Sequence, residues 1–162
     1  MNRRFIGLLA LLPLTGCAGR FIQSPLLDDE LRLRDSDDNR AIVDLVASYE
    51  ASLEALDLNR IGEHVSEEYY ENAGTTDTTE DDYGYESLMG QFAVLTEHVR
   101  EMRVDIEVHS ITVDGDRADV LFDYSFTMLY SVDGLDRWET DRDVNRLQLI
   151  RENESWRIAG GL

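Results

Sequence analysis

The chain has 162 residues, 43% of them hydrophobic, which suits one domain with a single core. Its formal net charge is −19, with 34 acidic residues against 15 basic ones, and every basic residue is arginine. So acidic a surface repels nucleic acid and argues against a nucleic-acid partner, and the single cysteine, Cys17, excludes a disulfide within the chain.

Arg3 and Arg4 place positive charge at the start, and Phe5 to Leu14 follow as an apolar run broken only by Gly7 and Pro13. The run is too short for a membrane-spanning helix, which needs about 20 residues, and has the size of a secretory h-region. Leu14-Thr15-Gly16-Cys17 comes next and resembles the bacterial lipobox. The resemblance implies a signal peptide over residues 1–16, cleavage before Cys17, and a diacylglyceryl thioether on that cysteine, usually with an acylated amine. Several acyl chains anchor a protein stably where a single one does not. Residue 18 is alanine, not the aspartate that retains many lipoproteins in the inner membrane. The expected address is therefore the outer membrane, facing the periplasm or the cell surface. Residues 17–37 show no sustained apolar face and are expected to form a flexible acidic tether, with the folded domain over 38–162.

Ile42, Leu45, Val46, Tyr49, Leu53 and Leu56 recur at helical spacing, so a helix is predicted from about Asp38, capped by Asp37 or Asp38 and ending at Asp57. A shorter helix is predicted over Leu58 to Val65. Residues 66–86 read as short strands and a loop whose acidic part spans 77–86. A third helix is predicted after Ser87, with Leu88, Phe92, Leu95 and Val99 on one face. Strict alternation then takes over. Met102, Val104, Ile106 and Val108 share one parity, whereas Ile111 and Val113 take the other, which predicts a β-bulge near His109-Ser110. Asp114-Gly115 and Asp133-Gly134 are turn signals. Between them Ala118, Val120, Phe122, Tyr124, Phe126, Met128 and Tyr130 alternate with polar residues. A long strand over about 137–151, a turn at Asn153-Glu154 and a last short strand with Trp156 and Ile158 complete an antiparallel meander, an α+β arrangement with the helices on its apolar face.

Helices followed by a long bulged meander, the run Tyr49-Glu50-Ala51-Ser52-Leu53-Glu54-Ala55-Leu56-Asp57-Leu58 with Ile61, and the closing Ser155-Trp156-Arg157-Ile158 resemble the nuclear transport factor 2-like superfamily. That group includes SnoaL-like cyclases and ketosteroid isomerase. The resemblance implies a cone-shaped roll of helices on a curved sheet, with an internal pocket and often a dimer through the sheet. It also implies where isomerase chemistry would sit. Tyr49 falls at the oxyanion tyrosine, and a second donor falls near Asp143 or Asn145. The base position falls on Ala73, which cannot take a proton, while Asp77 is reached only with a gap.

His64, His98 and His109 lack metal-ligand spacing, and no phosphate loop or nucleophile elbow is present, so neither metal nor cofactor is expected. Acidic residues 77–86 are rich in oxygen donors but do not match a calcium-loop pattern and read as a solvated loop. A pocket is expected from Tyr49, Tyr70, Phe92, Phe122, Tyr124, Phe126 and Trp138. The favoured function is a non-catalytic, lipid-anchored binding or interaction module for a small apolar ligand, joined to the membrane through Cys17. The alternatives are an isomerase-like enzyme acting on a hydrophobic molecule and a structural homodimer.

Overall fold

The computed structural model describes residues 20–72, 79–132 and 134–162. Cys17, Ala73 and Asp77 lie outside the described residues, as does Asp133 of the second predicted turn. The apolar spacing of the first helix closes as α1, Asp37–Glu54, which buries Ile42, Val46, Tyr49 and Leu53. Its cap is Ser36, not Asp37 or Asp38: the Ser36 hydroxyl accepts from the Asn39 N–H at 3.2 Å, and both aspartates occupy the first turn, where they favour the positive end of the helix dipole. Leu56, with φ 51°, turns the chain out of the helix, and the Asp57 N–H reaches the Ser52 carbonyl at 3.0 Å. Asp57 then caps α2, Leu58–His64, through the Arg60 N–H.

The segment after α2 forms β1, Tyr70–Glu71, and β2, Tyr83–Gly84, paired antiparallel. The third helix, α3, spans Tyr85–His98 and so starts slightly before the predicted Ser87. The four-stranded sheet follows in sequence order: β3, Val99–Asp114; β4, Arg117–Val132; β5, Leu135–Glu152; β6, Ser155–Gly160. The predicted bulge is present as a register shift between Val108 and Ser110 against β4. It returns Ile106 and Val108, and then Ile111 and Val113, to the same face. That concave face holds Val120, Phe122, Leu147 and Leu149, and α1 packs over it with Ile61, Trp156 and Ile158 completing the core.

β3 is the edge strand on the side of α1, and its outward N–H groups need acceptors. Glu54 Oε1 accepts from Val104 N at 3.1 Å and Glu50 Oε1 from Ile106 N at 3.0 Å. Further along, the Leu26 carbonyl accepts from Val108 N at 2.7 Å, and Asp28 N donates to the Val108 carbonyl at 3.0 Å. The N-terminal stretch therefore adds to the sheet edge beside Val108, with Leu27 as the bridging residue. Within the described part of the expected tether, residues 20–37, the chain is docked on the domain and not a flexible spacer. Leu26, Leu27 and Leu33 are buried in the core, and Ile22 N donates to the Leu33 carbonyl at 3.0 Å. The apolar residues are too irregularly spaced to announce a helix or strand, but the unpaired edge of β3 supplies the partner that organises them. Leu27→Ala is expected to lower unfolding stability by about 2–5 kcal/mol in chemical denaturation; an undocked segment would leave the midpoint unchanged.

Candidate functional site

The concave face is not filled to its open end. A cavity of about 180 Å³ lies between α1, α3 and the sheet. Tyr49 and Leu53 enter it from α1, Phe92 and Leu95 from α3, and Met102, Val104 and Ile106 from β3. Phe122, Tyr124 and Phe126 alternate into it from β4, because every second residue of a strand shares a face. Asn145 of β5 and the segment Gly161-Leu162 close the remaining side. Of the residues expected at a pocket, Tyr49, Phe92, Phe122, Tyr124 and Phe126 line this cavity.

Two expected pocket residues are elsewhere. Trp138 is 58% exposed and pairs with Leu129, on the opposite face of the sheet from Phe126 and Met128. Tyr70 is 57% exposed, and its hydroxyl donates to Asp82. Aromatic character alone does not fix a side; strand parity and the position of β1 do. Of the two positions weighed for a second donor, Asn145 lines the cavity, whereas Asp143 is exposed beyond it, opposite Tyr124.

Tyr49 presents a hydroxyl to the inner part of the cavity. Its side chain is buried, its hydroxyl makes no hydrogen bond among the described residues, and burial pushes its pKa up, so it is a neutral donor. Asn145 is already used: its Nδ2 donates to the Gly161 carbonyl at 3.1 Å, and its Oδ1 accepts from Arg146 N at 2.7 Å. The Gly161-Leu162 segment is held by Glu71 Oε2, which accepts from Gly161 N at 2.9 Å, and by Tyr69 and Tyr83, whose hydroxyls donate to the main-chain oxygen of Leu162 at 3.2 and 2.8 Å. No aspartate or glutamate side chain is among the described residues lining the cavity. Sequence reading passed over Gly161, yet its φ is +88° and an added Cβ would lie 1.9 Å from the Arg146 carbonyl oxygen. Gly161→Ala is therefore expected to cost more than about 1 kcal/mol of stability in thermal or chemical unfolding, and to loosen this wall of the cavity.

The histidines do not share a site. His64 Nε2 lies 3.2 Å from the hydroxyls of both Ser48 and Ser52 and ties α2 to α1. His98 Nδ1 faces the Val94 carbonyl at 2.8 Å at the end of α3. His109 is different: the bulge lets its Nδ1 reach Asp28 at 3.1 Å and its Nε2 reach Asp123 at 2.8 Å, with Glu107 close by. Spacing in the sequence carried no sign of this juxtaposition, since Asp28 comes from the N-terminal segment. The hydrogen bond that His109 donates to Asp123, followed by the one it donates to Asp28, raises its pKa above the ordinary value despite partial burial. A histidine whose folded pKa is raised stabilises the fold fully below its unfolded pKa of about 6.5, and that contribution is lost as pH rises through the folded value. Unfolding free energy is thus expected to fall over the pH range just above 6.5, and His109→Gln is expected to abolish that step in pH-dependent denaturation.

No protein-family model matches the sequence, and no curated protein matches it. Solved structures do match in fold. A nuclear transport factor 2-like superfamily protein from Salmonella enterica is 19% identical with a TM-score of 0.56, covering 75% of this chain and 86% of that one. A ketosteroid isomerase-like protein from Erwinia carotovora atroseptica is 14% identical with a TM-score of 0.59, covering 78% and 95%. A conserved protein from Planctomyces limnophilus is 12% identical with a TM-score of 0.61, covering 76% and 92%. The fold is thus nuclear transport factor 2-like, and at these identities the likeness establishes the fold alone.

Proposed function

We propose, from a nuclear transport factor 2-like fold with an apolar cavity and a lipobox-like N-terminus, that this chain is a lipid-anchored envelope protein that binds a small apolar ligand without turning it over. The observation that carries the reading is the Tyr49 hydroxyl: buried, neutral and unpartnered among the described residues, on the wall of an otherwise apolar cavity of about 180 Å³. Facing the cavity, this hydroxyl can donate to a ligand that carries a hydrogen-bond acceptor, a bond worth about 0.5–1.5 kcal/mol. A non-catalytic role is supported by the absence of an aspartate or glutamate side chain among the described cavity-lining residues and by alanine at position 73, where the resemblance to ketosteroid isomerase puts the base. The anchor, on Cys17, would hold the domain at the outer membrane.

Native mass spectrometry of the full chain carrying Cys17→Ser is expected to show a retained small molecule of fixed mass. Tyr49→Phe is expected to weaken its retention by about tenfold while leaving stability within about 0.5 kcal/mol, because no protein partner loses a hydrogen bond. An empty chain would overturn the binding reading. Turnover of the released molecule, abolished by one cavity substitution, would replace it with the enzymatic one. For the anchor, the intact mass of the wild-type protein from a bacterial host is expected to show cleavage before Cys17 and added acyl chains.

A further inference from the structure

The rings of Phe122, Tyr124 and Phe126 form a row along the concave face of β4. The Phe122 and Tyr124 centroids are 6.1 Å apart, and those of Tyr124 and Phe126 are 6.4 Å apart with planes inclined by only 3°. The antiparallel register places Asn145, Asp143 and Asp141 of β5 directly opposite these three residues in turn. Opposed residues share a face of the sheet, with Cβ atoms about 4.5–5.5 Å apart. From Phe122 to Phe126 the rings pass from buried to half-buried, and the groups facing them pass from an amide to two carboxylates.

Neither carboxylate is neutralised by a salt bridge among the described residues. Asp143 Oδ1 accepts from Val144 N and Asp141 Oδ1 from Arg142 N, each at 2.8 Å, and the second oxygen of each has no protein partner among the described residues. The next pair outward sets Glu139 opposite Met128, and Arg137 enters only beyond that, opposite Tyr130. On the α1 side, Glu50 and Glu54 add negative charge at β3. Burial, then Asp143, then Asp141 raise the pKa of the Tyr124 phenol, which places both carboxylates within electrostatic reach of the ring.

We propose that the cavity selects an organic cation, with an apolar or aromatic body inside and an ammonium group at the mouth against Tyr124 and Phe126, beside Asp141 and Asp143. The proposal rests on the ligand-binding reading above and adds the sign of the ligand's charge. An aromatic face attracts a cation through its ring quadrupole, and the two carboxylates replace the water that the ammonium sheds. An anion of the same shape meets the charges of Asp141 and Asp143 there. Apolar cavities of roughly 150 Å³ accept benzene, so a body of about one aromatic ring fits the space.

The test uses the full chain with Cys17→Ser and isothermal titration calorimetry with 3-phenylpropylammonium, 3-phenylpropanol and 3-phenylpropanoate, which share a body and differ in the charge of the head. The ammonium is expected to bind about tenfold more tightly than the alcohol, with the carboxylate weakest. In the double variant Asp141→Asn, Asp143→Asn, both substitutions being on exposed side chains, the ammonium-to-alcohol ratio is expected to fall to near one. Binding of the alcohol with no advantage for the ammonium would overturn the cation proposal and leave the binding reading standing. An advantage that survives the double variant would also overturn it. Failure of all three probes to bind would overturn both.

Discussion

A register shift in one strand underlies the shape of the whole domain. Between Val108 and Ser110, β3 carries an extra residue relative to β4. Without it, a strand as long as β3 would turn Ile111 and Val113 away from the face that holds Ile106 and Val108, and the sheet could not bury both halves. The bulge restores a common face and increases the local twist, which lets the sheet curl around α1. It also re-aims His109 so that its ring bridges Asp123 of β4 and Asp28 of the N-terminal segment.

The exposed edge of β3 explains the second level of organisation. Backbone N–H groups facing away from β4 are satisfied by two side chains of α1, Glu50 and Glu54, and then by the backbone around Leu26. A carboxylate is a strong acceptor for such a group, and its helical spacing of four residues matches two outward N–H groups of the strand. Burial raises the Glu50 pKa while the Ile106 N–H opposes that rise, so the contact is held against a desolvation cost. The segment around Leu26 and Leu27 is thereby part of the fold.

The cavity combines two environments along one strand. Around Tyr49 its lining is largely apolar, and the described protein groups do not engage the Tyr49 hydroxyl; its outer part pairs aromatic rings with carboxylates. Both follow from strand alternation. Phe122, Tyr124 and Phe126 lie at equivalent positions, and what differs is the depth of each and the β5 residue opposite it. The likeness to isomerase-type proteins concerns this scaffold, on which the chemistry depends on the few polar groups placed in the pocket.

The sequence by itself determined the helices, the parity switch at His109-Ser110, the turns and hence the architecture, because each rests on periodicities and turn residues that act over a few positions. Five of the residues it singled out line the cavity, since core and cavity share one face. Only the tertiary structure decided the rest. Trp138 lies outside and Tyr70 at the surface because register and strand placement, not aromaticity, assign a side. Gly161 is required because the chain passes against the Arg146 carbonyl, an approach between two segments that no local pattern records. The docking of Leu27, the bridge from His109 to Asp28 and the facing of Asp141 and Asp143 onto the ring row all join residues far apart in the chain. Such contacts exist only once the sheet has closed, so neither propensity nor spacing could show them.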